Sequence, residues 1–131
     1  MLFRSVLVWL NRNDGTGSFN PVARLITVGD GPVALAVGDF DGQLGPDLAV
    51  ANQRSGSVSI LKNDGAANFS VLKTLSGTSA PSALSVADFD GRNGPDLAVT
   101  QGDGDSAQPL TLFFNSGDVA EPFTQDRKSV V

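Results

Sequence analysis

Pro32–Val50 reads PVALAVGDFDGQLGPDLAV, and Pro81–Val99 reads PSALSVADFDGRNGPDLAV. The offset is 49 residues, and the copies differ at only five positions, 33, 36, 38, 43 and 44 in the first. A fixed internal period changes the fold as a whole, so it takes precedence over local propensity. A second signature flanks these segments. Asn13-Asp14-Gly15 is followed by Phe19 and Asn63-Asp64-Gly65 by Phe69, while a looser third copy, Asn115-Ser116-Gly117, reaches Phe123 with two extra residues before it. The period is near 50. It divides the chain into a trailing half-unit at 6–29, a full unit at 30–79 and a second, truncated unit at 80–125.

Within a unit the pattern has period two. Leu35, Val37 and Asp39 share one strand face while Ala34, Ala36 and Gly38 share the other; Leu84, Val86 and Asp88 repeat this against Ala83, Ser85 and Ala87. A face of such small residues implies a closely packed neighbouring sheet. Residues 47–51, 57–62 and 69–75 supply three more strands, with Asn-Asp-Gly turning the last hairpin. Each unit is therefore expected to be a four-stranded antiparallel meander. Units of this length and strand number, stacked face to face, predict an all-β chain that is a fragment of a β-propeller, with about two and a half blades.

Composition agrees. Gly, Pro, Asn and Asp make up 43 of the 131 residues, and all the acidic residues but Glu121 are Asp, which favours turns and hard-cation sites over helices. The chain has no cysteine and no histidine, which excludes disulfides, thiolate zinc sites and His-based catalytic triads. With nine basic residues and a pI near 4.4, it offers no cationic face for nucleic acid. No apolar run reaches the roughly 18 residues of a membrane helix. The ends read differently from the middle: Met1–Ser5 and Asp126–Val131 resemble translated sequencing adapters and are expected to be non-native, which sequencing of the encoding DNA would test.

Each repeated bend carries three carboxylates, at loop positions one, three and nine. In the first they are Asp39, Asp41 and Asp47; in the second, Asp88, Asp90 and Asp96. Three carboxylates this close repel one another unless a cation or backbone N–H groups compensate, and calcium is the natural cation. An EF-hand does not fit, because position twelve is Val50 or Val99 where a bidentate Glu belongs. The alternative to metal is that the Asp residues cap turns and that Arg92 neutralises its own loop.

The DFDGxxGPDLAV segments, with the preceding alternating strand and the following SVSILKNDGxxxF hairpin, resemble FG-GAP/VCBS repeats, the blades of integrin-alpha-type propellers, over roughly residues 6–125. The resemblance implies calcium held by Asp39, Asp41, Gln43, the carbonyl of Gly45 and Asp47, and in the second loop by Asp88, Asp90, the carbonyl of Gly94 and Asp96. Position five departs from the family pattern. Gln43 retains an amide oxygen there, whereas Arg92 only donates, so the first loop is the stronger candidate. Position six, glycine in the family, is Leu44 or Asn93, and Leu resists the left-handed conformation.

Other residues have plainer expected roles. Phe40 and Phe89 are expected in the core between units, and Trp9 is expected to pack rather than to form a sugar platform. Gly102-Asp103-Gly104-Asp105 reads as a polar turn rather than half a metal site. Paired Asp residues also serve glycosidases, but recurrence in both units fits a structural role better than one active site. The expected function is a non-enzymatic, calcium-stabilised repeat segment of a secreted or cell-surface bacterial protein that binds protein or carbohydrate or acts as a scaffold. The alternative is the propeller part of a larger extracellular hydrolase acting on carbohydrate or lipid. Its first partners would be neighbouring blades, because an open stack leaves both end faces bare; self-association or poor solubility is expected of the segment alone.

Overall fold

Proline and side-chain alternation set where the strands begin. Pro32 and Pro81 lack an N–H and each opens the first strand of its unit, where a ladder bond is not required. The computed structural model describes residues 3–102, 110–123 and 127–130, and they are all-β with no helix. The strands are β1 (Ser5–Val8), β2 (Arg24–Thr27), β3 (Pro32–Gly38), β4 (Asp47–Asn52), β5 (Ser57–Asn63), β6 (Phe69–Ser76), β7 (Pro81–Ala87), β8 (Asp96–Gln101), β9 (Leu110–Phe113) and β10 (Arg127–Val130).

They form three antiparallel sheets. β1 and β2 make a two-stranded sheet; β3-β4-β5-β6 is the expected meander; β7-β8-β9-β10 repeats its order. The register repeats too. Leu48 faces Leu61 as Leu97 faces Phe113, and both units shift register after their opening proline. The outer strand of the last sheet comes from Arg127–Val130, which pairs with β9.

The middle sheet packs on both faces, with the outward side chains of β3, Leu35 and Val37, left exposed. One face presents Leu48, Val50 and Leu61 to Val6, Val8, Ile26 and Val28 of the first sheet and the residues that follow it. The other face presents Ala49, Val58, Ile60 and Leu75 to Leu84, Val86, Leu97, Val99 and Phe113 of the last sheet. Every residue of β4 is buried as a result, and each fully buried aliphatic side chain here stabilises by about 1.5–3 kcal/mol.

The small-residue face behaves as its sequence predicts. β3 packs against β7, and a Cβ on Gly38 would lie 3.0 Å from Val86 Cγ1 and 3.1 Å from the Phe40 ring. A Cβ at position 38 would therefore crowd the Val86 and Phe40 side chains, which glycine avoids. Its counterpart Ala87 lies on a face that no further sheet covers among the described residues, and it is exposed. One of the five differences between the repeats is thereby accounted for.

Candidate metal centres at two aspartate loops

Each aspartate loop joins the first two strands of its unit, β3 to β4 and β7 to β8, so the same backbone path is built twice. Asp47 is the first residue of β4 and is fully buried. Its Oδ2 accepts the N–H of Phe40 at 2.9 Å and that of Asp41 at 3.3 Å, and its Oδ1 accepts the N–H of Asn63 at 2.9 Å. Asp96 repeats this at the start of β8, accepting the N–H groups of Phe89 and Asn115, both at 2.8 Å. The third carboxylate of each triad thus clamps the loop to the end of the third strand.

The two outer carboxylates form short local turns. Asp39 Oδ1 accepts Gly42 N–H at 2.8 Å, and Asp41 Oδ1 accepts Gln43 N–H at 2.9 Å. In the second loop Asp88 Oδ1 accepts Gly91 N–H at 2.6 Å, and Asp90 Oδ1 accepts Arg92 N–H at 2.9 Å. These are the Asx turns weighed above as the alternative to metal. Arg92 does not supply the internal cation of that alternative: among the described residues its guanidinium forms no ion pair, and it is the Arg92 backbone N–H that meets the carboxylates.

Both triads nonetheless gather. Asp39, Asp41 and Asp47 each bring a carboxylate oxygen within 4.8 Å of the others, and so do Asp88, Asp90 and Asp96. Burial lifts the Asp47 carboxyl above the ordinary carboxylate value; the N–H groups of Asn63 and Phe40 oppose this, and the Asp41 charge adds to it. A divalent ion here would offset both the desolvation and the repulsion, so the donor set fits a hard, oxygen-seeking cation. Gln43 is exposed, and its Nε2 donates to the Gly42 carbonyl at 3.2 Å. Gly45 and Gly94 hold φ of +116° and +104°, a conformation that requires glycine at position seven.

Leu44 occupies the left-handed region that leucine resists, with φ +47°, as its counterpart Asn93 does with φ +57°. The turn imposes the conformation and the leucine bears the strain, with its side chain 71% exposed. Phe89 departs from its expected place in the core. Phe40 is 2% exposed and its ring meets that of Phe123 from the next unit in a tilted contact, centroids 5.6 Å apart, but Phe89 is 46% exposed because no following sheet brings it such a partner among the described residues. Trp9 does not pack as expected: it is 48% exposed and lines a surface hollow with Phe19. Asp103 and Asp105 lie outside the described residues.

The two loops differ in surroundings. A hollow of about 240 Å³ is walled by Asp39 and Asp41 on one side and by Asn93, Pro95 and Gly117 of the second unit on the other. Asp41 is buried in consequence, while Asp90 is exposed. The stacking of units, and not only the Gln43-to-Arg92 exchange, therefore makes the first loop the lower-dielectric site.

Sequence reasoning missed the asparagines that hold these loops. Asn63 donates from Nδ2 to the Pro46 carbonyl at 3.0 Å, and Asn115 donates to Pro95 at 3.2 Å and to Phe40 of the preceding unit at 3.0 Å. Both also cap their hairpin turns, each accepting the N–H two residues on. The signal was present as the recurrent Asn of the Asn-x-Gly signature, read only as turn chemistry. In the first hairpin that role falls to Asn11, which bridges to Phe19 and accepts Asn13 N–H, two residues earlier than the repeated Asn-Asp-Gly indicates. No family model, curated protein or solved structure matches this chain.

Proposed function

We propose that this chain is a calcium-stabilised segment of an FG-GAP/VCBS-like β-propeller, in which the aspartate loops bind metal to fix one unit on the next, and that it acts by binding or scaffolding outside the cytoplasm without catalysing a reaction. The observation that supports this best is the duplicated carboxylate triad, placed at the same register of two sheets that pack front to back on one another. Absence of His and Cys from the sequence removes the usual nucleophile–base pairs, and recurrence of the triad argues against a single active site. The first loop is the tighter of the two. It is the more enclosed, and Gln43 brings no positive charge where Arg92 does.

Calorimetric titration with calcium tests this, using Asp41→Asn to weaken the first loop and Asp90→Asn the second. These two substitutions leave the clamps made by Asp47 and Asp96 in place. The expected result is a dissociation constant on the order of 10⁻⁴–10⁻³ M, as in extracellular calcium modules, lost with Asp41→Asn and little changed by Asp90→Asn. No calcium heat in the unmodified chain, or binding that survives Asp41→Asn and disappears with Asp90→Asn, refutes it.

A further inference from the structure

Asn93 is the only asparagine in the chain that precedes a glycine. A glycine has no Cβ to keep its backbone nitrogen away from the side-chain amide before it, so this step is open to attack within the chain. At comparable steps the fold engages the groups that would react. Gly42 and Gly91 follow aspartates, and their N–H groups donate to Asp39 and Asp88, while Gly31 N–H donates to the Phe3 carbonyl. The amides of Asn63 and Asn115 are held at both ends, and Asn52 is fully buried. Asn93 and Gly94 are both exposed, and among the described residues neither the Asn93 side-chain amide nor the Gly94 N–H forms a hydrogen bond. This exposure is not owed to a missing neighbour. Leu44, the counterpart of Asn93 in the unit that packs on both faces, is 71% exposed.

We propose that Asn93-Gly94 is a site of spontaneous deamidation, and that the acid formed there borders the hollow shared with Asp39 and Asp41 and loosens the contact between the two units. The Gly94 nitrogen attacks Asn93 Cγ. As the new N–Cγ bond closes a cyclic imide, the Cγ–Nδ2 bond breaks and Nδ2 leaves as ammonia, taking the Gly94 amide proton. Water then adds to one of the two imide carbonyls. Cleavage of the N–Cγ bond gives aspartate, whereas cleavage between the Gly94 nitrogen and the backbone carbonyl carbon gives isoaspartate, with the main chain running through Cβ and Cγ. No electrons are exchanged, and water is the only co-reactant. Both products carry a carboxylate. Asn93 walls the 240 Å³ hollow opposite Asp39 and Asp41, so the reaction adds a negative charge to a space already bordered by two. Isoaspartate also lengthens the backbone where room is short: a Cβ on Gly117 would lie 3.0 Å from Asn93 Cβ, and the Pro95 carbonyl is held by Asn115.

The test incubates the full chain in chelator at neutral pH and physiological temperature, followed by peptide mapping with mass spectrometry and by labelling with isoaspartyl methyltransferase. Acid is expected at position 93 before any other asparagine, at a rate within about tenfold of that in an unstructured peptide of residues 90–97, because no hydrogen bond holds the step closed. Asn93→Gln keeps an amide but lengthens the side chain, and it is expected to abolish labelling of this segment in a chain that stays folded by circular dichroism. Asn93→Asp installs one of the two products and is expected to lower the urea midpoint at unchanged slope. A folded chain that stays intact at position 93 while the peptide reacts overturns the proposal. So does labelling that persists in Asn93→Gln, which places the reaction at Asp90 instead, or an Asn93→Asp midpoint no lower than that of the unmodified chain. The inference rests on the packing of the two units and not on the metal; every measurement runs in chelator, so its failure and failure of the calcium titration are distinct.

Discussion

Asn115 is 3% exposed and its side-chain amide joins two units, which makes its loss the most informative perturbation of this fold. In Asn115→Ala the carbonyls of Phe40 and Pro95 lose their donor, and Gly117 N–H loses its acceptor. The Phe40 carbonyl belongs to a residue buried between the sheets, where water does not replace the lost partner. A buried group left unsatisfied costs about 1–3 kcal/mol, so the expected loss is about 2–4 kcal/mol for the three groups together. Asn63→Ala is the internal control. It removes the same bonds to its own loop and turn, from Pro46, Gly65 and Ala67, but it makes no contact like that from Asn115 to Phe40, and these bonds lie at more exposed sites. Its expected cost is about 0.5–1.5 kcal/mol. Equilibrium urea unfolding followed by circular dichroism separates the two through the midpoint at constant slope. Equal losses, or a larger loss from Asn63→Ala, would refute the view that Asn115 stitches the second unit to the first aspartate loop.

Leu44→Gly relieves a left-handed residue whose side chain is solvent-exposed; against a strain of about 1–2 kcal/mol the added chain entropy of glycine leaves a net gain of about 0.5–1 kcal/mol, whereas Asn93→Gly is expected to be near neutral in the same denaturation assay. Gly38→Ala is expected to cost about 1–3 kcal/mol by overpacking against Val86 and Phe40, and a midpoint no lower than that of the unmodified chain would contradict the close approach. Calcium at about 100 times its dissociation constant is expected to add about 2.7 kcal/mol, read as a higher unfolding midpoint. The raised Asp47 carboxyl sets the pH dependence in chelator. The folded state holds this proton to higher pH than the unfolded chain, so its contribution to stability is full below the ordinary carboxylate value and is lost as pH rises through the raised one. Calcium reverses the trend by requiring the carboxylate, so its stabilisation fades on acidification; comparison with Asp47→Asn across the same pH range checks both signs.

Much of this was written in local sequence. Alternation of period two, the two opening prolines and the Asn-x-Gly turns fix strand order within a unit, and the recurrence of three Asp residues fixes which side chains meet at the bend. Those signals act over a few residues and need no knowledge of neighbours. What a residue faces across the sheet is another matter. Phe40 and Phe89 occupy the same loop position, as Leu35 and Leu84 occupy the same strand position, yet one of each pair is covered and the other bare. The burial of Asp41 against the exposure of Asp90, and the reach of Asn115 to a loop 75 residues away, follow likewise from which sheet stands behind which. Repetition in sequence gives equivalent units equivalent backbones; only their order in the stack decides which faces lose water, because burial belongs to a pair of sheets and not to either one.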